Sequence, residues 1–215
     1  MILIYLFILQ AAQVAVSVNT GEAEYYSIQE AKWLALKTSR VTPHIYIRSK
    51  NSQLTVTVNK ETIQVPKNSF FYLNDLMIVS LKDLVDEISI LDIETFNQFK
   101  SLPRQHKAGM VYGENEIGTI TAANIPFLDE RLHAIDYFKQ TKRYYAALLM
   151  QKRVLVKYPQ LYNQQSEVTS LLDLYLKNGL NGMAVDEISS ILNRRKLVIH
   201  KALLSKYESE ILANL

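Results

Sequence analysis

From Pro43 onward the apolar residues of this chain fall on every second position, and from Pro126 onward on every third and fourth. That change of period demands two kinds of structure in succession, half-buried strands and then amphipathic helices. Residues 44–48, 53–58, 62–65 and 69–73 alternate apolar with polar and are rich in β-branched and aromatic side chains. Lys50-Asn51-Ser52, Asn59-Lys60 and Pro66-Lys67-Asn68 separate them as turns. Residues 77–81 and 84–91 read as further short strands. Strands this short and this closely spaced predict an antiparallel meander, a small barrel or a jelly roll.

Helix is expected on either side of that block. Residues 24–40 read as a short amphipathic helix anchored by Trp33, Leu34 and Leu36, and Asp92 is placed to cap a helix over 93–102 that stops before Pro103. Residues 103–125, with Gly109, Gly113 and Gly118, read as a loop or linker. After Pro126, Leu128, Leu132, Ile135 and Phe138 share one helix face, and residues 144–156 form a second helix closed by Pro159. Such a pair serves either as a dimer interface or as packing on the β-rich part, and both readings stay open. Three helices are expected at the end, over 167–178, 185–192 and 196–206, with Gly179 and Gly182 bracketing the first turn and Asn193-Arg194 forming the second. The fold class is therefore α+β. A small antiparallel β domain occupies 1–110, linker or dimerisation helices 111–160, and a helix-turn-helix domain 161–215.

Charge divides along the same line. Residues 1–130 hold 11 Lys/Arg against 14 Asp/Glu, whereas 131–215 hold 13 against 7. An acidic front and a basic back point to two tasks, with polyanion binding at the back. Chemistry is poorly represented. The chain has no cysteine, and its four histidines (His44, His106, His133 and His200) stand singly with no metal-ligand spacing. No phosphate-binding glycine loop, zinc-protease motif or nucleophile elbow is present. Acid pairs such as Glu114/Glu116 and Asp86/Glu87 lack a partner that would make them a catalytic dyad. The expectation is a protein that is not an enzyme and has no catalytic residue, metal or cofactor.

The first 18 residues are largely apolar and resemble a signal-peptide core, with Ala15-Val16-Ser17 offering small residues for cleavage. No Lys or Arg precedes them, Gln10 and Gln13 interrupt them, and they fall short of the ~20 residues that span a bilayer. The expected location is cytoplasmic with no stable membrane insertion. Export or attachment through residues 1–18 is the alternative.

Towards the end of the chain Arg194, Arg195, Lys196, His200, Lys201 and Lys206 follow one another with no acid among them. Ile188, Ile191 and Leu192 on one helix, with Ile199 and Leu203 on the next, supply a shared apolar face. With Ile199 and Leu203 inward, Lys196, Leu197, His200 and Lys201 point outward, where they can enter a major groove of double-stranded DNA. Arg194 and Arg195 stand at the helix start, where backbone N–H groups also favour phosphate.

These residues resemble the AraC/XylS transcription activators, especially the enteric virulence branch with Rns- and ToxT-like members. The resemblance rests on Met183-Ala184-Val185…Ile188-Ser189…Arg195…Ile199-His200-Lys201-Ala202-Leu203, on the preceding Val168…Leu171-Leu172…Leu176, and on residues 53–58, 63–65 and 66–73. It covers 44–99 and 165–211. It implies DNA binding by Arg194, Lys196, Leu197, His200 and Lys201, and a cupin-like N-terminal domain that dimerises or senses a small apolar effector. The chain departs from the pattern at Met183, where the branch has Trp, and at Ala184, where it has Ser or Thr. The family carries a second helix-turn-helix that this sequence lacks before Leu215, so a homodimer would be needed to bring two reading helices to the DNA. The first expectation is thus a dimeric transcriptional regulator. The rival is a non-DNA-binding interaction protein, or a truncated modulator that hetero-oligomerises with a full-length regulator.

Overall fold

The computed structural model describes residues 14–27, 30–37, 39–101, 125–194 and 201–212. The chain divides into two compact units, Met1–Met77 and Ile78–Leu215. Among the described residues the first unit holds eight antiparallel strands: β1 (Val14–Val18), β2 (Glu24–Ser27), β3 (Lys32–Ala35), β4 (Ser39–Val41), β5 (Tyr46–Arg48), β6 (Leu54–Val58), β7 (Glu61–Val65) and β8 (Phe70–Tyr72). They form two four-stranded sheets, in the orders β4-β1-β6-β7 and β3-β2-β5-β8. Each sheet joins one hairpin to two strands brought in from elsewhere in the unit.

The β6–β7 hairpin shows why the alternation folds as it does. Leu54 pairs with Val65 and Val56 with Ile63, and all four side chains are buried. Thr55, Thr57, Thr62 and Gln64 take the other face. Asn59 and Lys60 both have positive φ, 49° and 72°. A two-residue loop of that hand matches the twist of the flanking strands. Each fully buried Val or Ile contributes roughly 1.5–3 kcal/mol of transfer free energy. In the second sheet, Ile47 and Phe71 pair on the core-facing side. On the opposite face Tyr26 meets Trp33 at 5.4 Å between ring centroids, Trp33 meets Phe70 at 5.8 Å and Tyr46 stacks on Phe70 at 5.6 Å. Trp33 and Phe70 lie on the two edge strands, so the aromatic face is continuous across the sheet.

Two sequence expectations fail here. Residues 24–40 are not a helix: β2 and β3 form a hairpin in which Tyr25 pairs with Leu34 and Tyr26 with Trp33. Cross-strand aromatic packing outweighs the helical spacing of Trp33, Leu34 and Leu36. Residues 77–91 are not strands either. Phe70–Tyr72 runs into a 3-10 helix at Leu73–Leu76, and α1 (Leu81–Ser101) follows. The Ser80 hydroxyl accepts from the Asp83 N–H at 3.1 Å and donates to the Asp83 carboxylate at 2.6 Å, a side-chain N-cap that starts the helix at 81. Leu84, Ile88 and Leu91 are buried at helical spacing. Asp92 therefore lies inside α1 and caps nothing.

The second unit is helical: α1, then α2 (Leu128–Gln140), α3 (Tyr144–Lys157), a 3-10 helix at Pro159–Asn163, α4 (Gln165–Lys177), α5 (Asn181–Arg194) and α6 (Lys201–Leu212). Acids open α2 and α4 (Asp129, Glu130, Glu167) and Lys139, Lys157 and Lys177 close α2, α3 and α4, each complementing the helix dipole. α3 is the centre. It packs against α1, α2 and α4, and its residues Ala146–Lys152 and Val154–Val156 are buried without a break. A helix enclosed on several sides loses the one-sided pattern of a surface helix, so its apolar residues serve its own neighbours. Glu87 of α1 pairs with Arg153 of α3 beside that core.

Candidate nucleic-acid interface

The end of the chain is built on a well-formed turn. α4 stops at Asn178 because Gly179 takes φ +69°. The Gly179 N–H then donates to Leu176 O at 3.0 Å and the Leu180 N–H to Tyr175 O at 2.9 Å. That pair of bonds satisfies carbonyls left open at a helix end, and Leu180, buried at C″, packs the turn down. Three residues therefore separate α4 from α5.

α5 turns Ala184, Ile188 and Ile191 inward, with Glu187 among them. Ile188 and Ile191 were expected there, and Leu192 is half-buried. α6 buries Leu204 and Ile211, while Tyr207 donates its hydroxyl to Asp173 of α4 at 2.8 Å. α5 thus packs on both α4 and α6, and α6 is tied back to α4.

The expected boundaries shift. Asn193 and Arg194 are not a turn, because α5 continues through both; the segment holds neither Gly nor Pro to break it. The following helix is described over Lys201–Leu212 and so includes Glu208 and Glu210. Among the proposed DNA-contacting residues, Arg194 ends α5 and Lys201 begins α6. Arg195, Lys196, Leu197 and His200 lie outside the described residues, as does Ile199 of the expected apolar pair. The side chains of Arg194, Lys201 and Leu203 also lie outside them. Basic residues therefore bracket the junction of α5 and α6. Lys206 is exposed on α6.

Beneath α5 sits a cluster that sequence reasoning missed. Lys152 of α3 is 2% exposed and Glu187 of α5 is 6% exposed. The Lys152 ammonium donates to the Glu187 Oε2 and, at 2.7 Å, pairs with Asp92 Oδ1 of α1. Tyr162, on the 3-10 helix, donates its hydroxyl to the other Glu187 oxygen at 2.8 Å. Burial by itself would push the ammonium down. Glu187, Tyr162 and Asp92 together outweigh it and hold the Lys152 pKa well above the usual lysine value. Burial, reinforced by Glu187 and Asp92, pushes the Tyr175 phenol up. Asp92 is the open end of the cluster, its side chain 49% exposed. Nearby, Gln151 donates to Glu167 Oε2 at 3.0 Å and ties α3 to α4.

Among the described residues, no group of three or more His, Asp or Glu side chains could hold a metal ion, and no helix is long and apolar enough to cross a membrane. No protein-family model, curated protein or solved structure matches the chain.

Proposed function

We propose that the protein is a DNA-binding transcriptional regulator acting in the cytoplasm, with α4–α6 as its nucleic-acid module. The observation that carries this reading is the arrangement of α4, a three-residue glycine turn, α5 and α6, with basic residues at the α5–α6 junction. In a helix-turn-helix unit the preceding helices brace the reading helix; here α4 and α5, joined by a short turn containing Gly, would brace α6. The resemblance to AraC/XylS activators supports the same assignment, with Arg194, Arg195, Lys196, Leu197, His200 and Lys201 as the contacting set. On this reading the β-rich unit is a cupin-like regulatory domain that dimerises or senses a small apolar effector. Its two four-stranded sheets with crossed connections suit a jelly roll.

Fluorescence anisotropy with labelled duplex DNA across a salt series tests the proposal. Wild type should bind at low salt, and its affinity should fall steeply as salt rises. Arg195→Ala should weaken binding to all sequences and reduce the salt slope by about one, while Lys201→Ala should alter sequence preference. Absence of any binding at low salt would reject the assignment.

One observation favours the rival, an interaction protein that pairs with another regulator. Ile90 and Ile93 on α1 are 50% and 60% exposed, three residues apart, beside exposed Asp86 and Glu94. Exposed isoleucines at helical spacing suit a partner helix. Co-purification of a partner that is lost in an Ile90→Ser/Ile93→Ser variant, together with no DNA binding by wild type, would select this reading.

A further inference from the structure

The Lys152 cluster is asymmetric, and its asymmetry has a mechanical meaning. One ammonium serves two carboxylates carried by different helices. Glu187, on α5, is sealed and also receives the Tyr162 hydroxyl. Asp92, on α1, is half open to water. α1 is fixed to α3 by other means: Leu84, Ile88 and Leu91 are buried, and Glu87 pairs with Arg153. Asp92 and Lys152 therefore stay together whatever α5 does.

We propose that Glu187, Lys152 and Asp92 form a releasable latch for the α5–α6 segment, with Asp92 keeping Lys152 paired whenever α5 lifts. An ordinary buried ion pair resists opening because separation strands a charge in an apolar site. Here, lifting α5 carries Glu187 into water and leaves the ammonium with Asp92 at the rim, so neither charge is abandoned. Docking in turn brings Glu187 towards Asp92, two like charges on one ammonium, which weakens the docked state. Asp92 thus favours release and Glu187 favours docking. Both touch the same nitrogen, yet their removal should act in opposite directions. Lys152 is a positioning residue for α5, and through α5 for the basic junction beyond it.

Hydrogen exchange of the full-length protein, read by mass spectrometry over peptides from α5 and α6, tests the latch without DNA. Glu187→Gln should raise exchange in α5 and α6 by roughly tenfold, because a charge-assisted bond becomes a neutral one. Asp92→Asn should slow it by a few-fold, and peptides from α2 and α3 should change in neither variant. Lys152→Met should remove the part of the Asp92→Asn effect that comes from stranding the ammonium, leaving only the direct repulsion between the two carboxylates. Faster exchange in both single variants, or no change in either, would overturn the latch and leave the cluster as static packing. Should Lys152→Met fail to fold, the opposed signs of the two carboxylate variants still decide the question. The functional consequence rests on the DNA-binding reading: duplex affinity should shift in opposite directions in Asp92→Asn and Glu187→Gln. Wild type that binds no duplex would end that reading, while the exchange data would still decide the latch.

Discussion

Replacing Lys152 with Met tests how much the helical unit depends on one buried charge. Methionine matches the length and much of the volume of lysine, so apolar contacts along α3 survive. The loss is electrostatic: Glu187, 6% exposed, keeps the Tyr162 hydroxyl and loses the ammonium. Breaking a buried pair by removing one partner costs roughly 3–5 kcal/mol, because the remaining charge is stranded. Against a total stability on the order of 5–15 kcal/mol this is a large fraction. It corresponds to a fall in Tm of roughly 6–20 °C for a chain of this size. Urea unfolding followed by far-ultraviolet circular dichroism measures it. The double variant Lys152→Met/Glu187→Leu should recover most of the loss, since an apolar replacement of a buried pair is often neutral or better. Its residual deficit should be on the order of 1 kcal/mol, from the orphaned Tyr162 hydroxyl.

The pH dependence follows from the direction of the lysine shift. The folded state raises the Lys152 pKa above its unfolded value. The stabilisation is therefore complete below the ordinary lysine value of about 10.4 and is lost as pH rises beyond it. The advantage of wild type over Lys152→Met should shrink in alkali, and also in acid, where protonation relieves the carboxylate left buried in the variant. A single variant that loses under about 1 kcal/mol, or a double variant as unstable as the single, would refute the reasoning.

Three further outcomes follow from the packing. Tyr162→Phe removes a hydroxyl bonded to a carboxylate and should cost roughly 1.5–3 kcal/mol in chemical denaturation. Gly179→Ala meets no atom within 4 Å of the added Cβ, so only the left-handed backbone is strained; the loss should be roughly 1–2 kcal/mol by thermal melting, and smaller for Gly179→Asn. Ile63→Ala empties a buried position opposite Val56 and should cost roughly 2–5 kcal/mol, again by denaturation.

The sequence announced structure where one face of an element is buried and the other is wet. β6, β7 and α4 alternate cleanly in that sense, and their positions were legible to within a residue or two. The β2–β3 hairpin was not, because Trp33, Leu34 and Leu36 also satisfy a helical stripe and only the partner strand breaks the tie. α1 was missed although its signals are local: the Ser80 N-cap, the spacing of Leu84, Ile88 and Leu91, and a Lys82–Asp86 pair at 2.5 Å one turn apart. The β-branched run around Ile78 and Val79 drew attention from them. Lys152 was unreadable for a different reason. Gln151 and Lys152 look like the wet side of an amphipathic helix, and Glu187, which buries the ammonium, lies 35 residues further on. Of the DNA-contacting set expected from the sequence, Arg195, Lys196, Leu197 and His200 lie outside the described residues, and α5 runs on through the expected turn at Asn193 and Arg194.

The enclosure of α3 bears on how the chain can be dissected. A fragment cut at residue 160 to isolate the last three helices would leave Val168, Leu171 and Leu172 without the wall they lean on, and Glu187 without its counter-ion. Proteolysis or cloning that respects the architecture must keep everything from Ile78 onward in one piece. α4, α5 and α6 then depend on a larger helical body and do not stand alone.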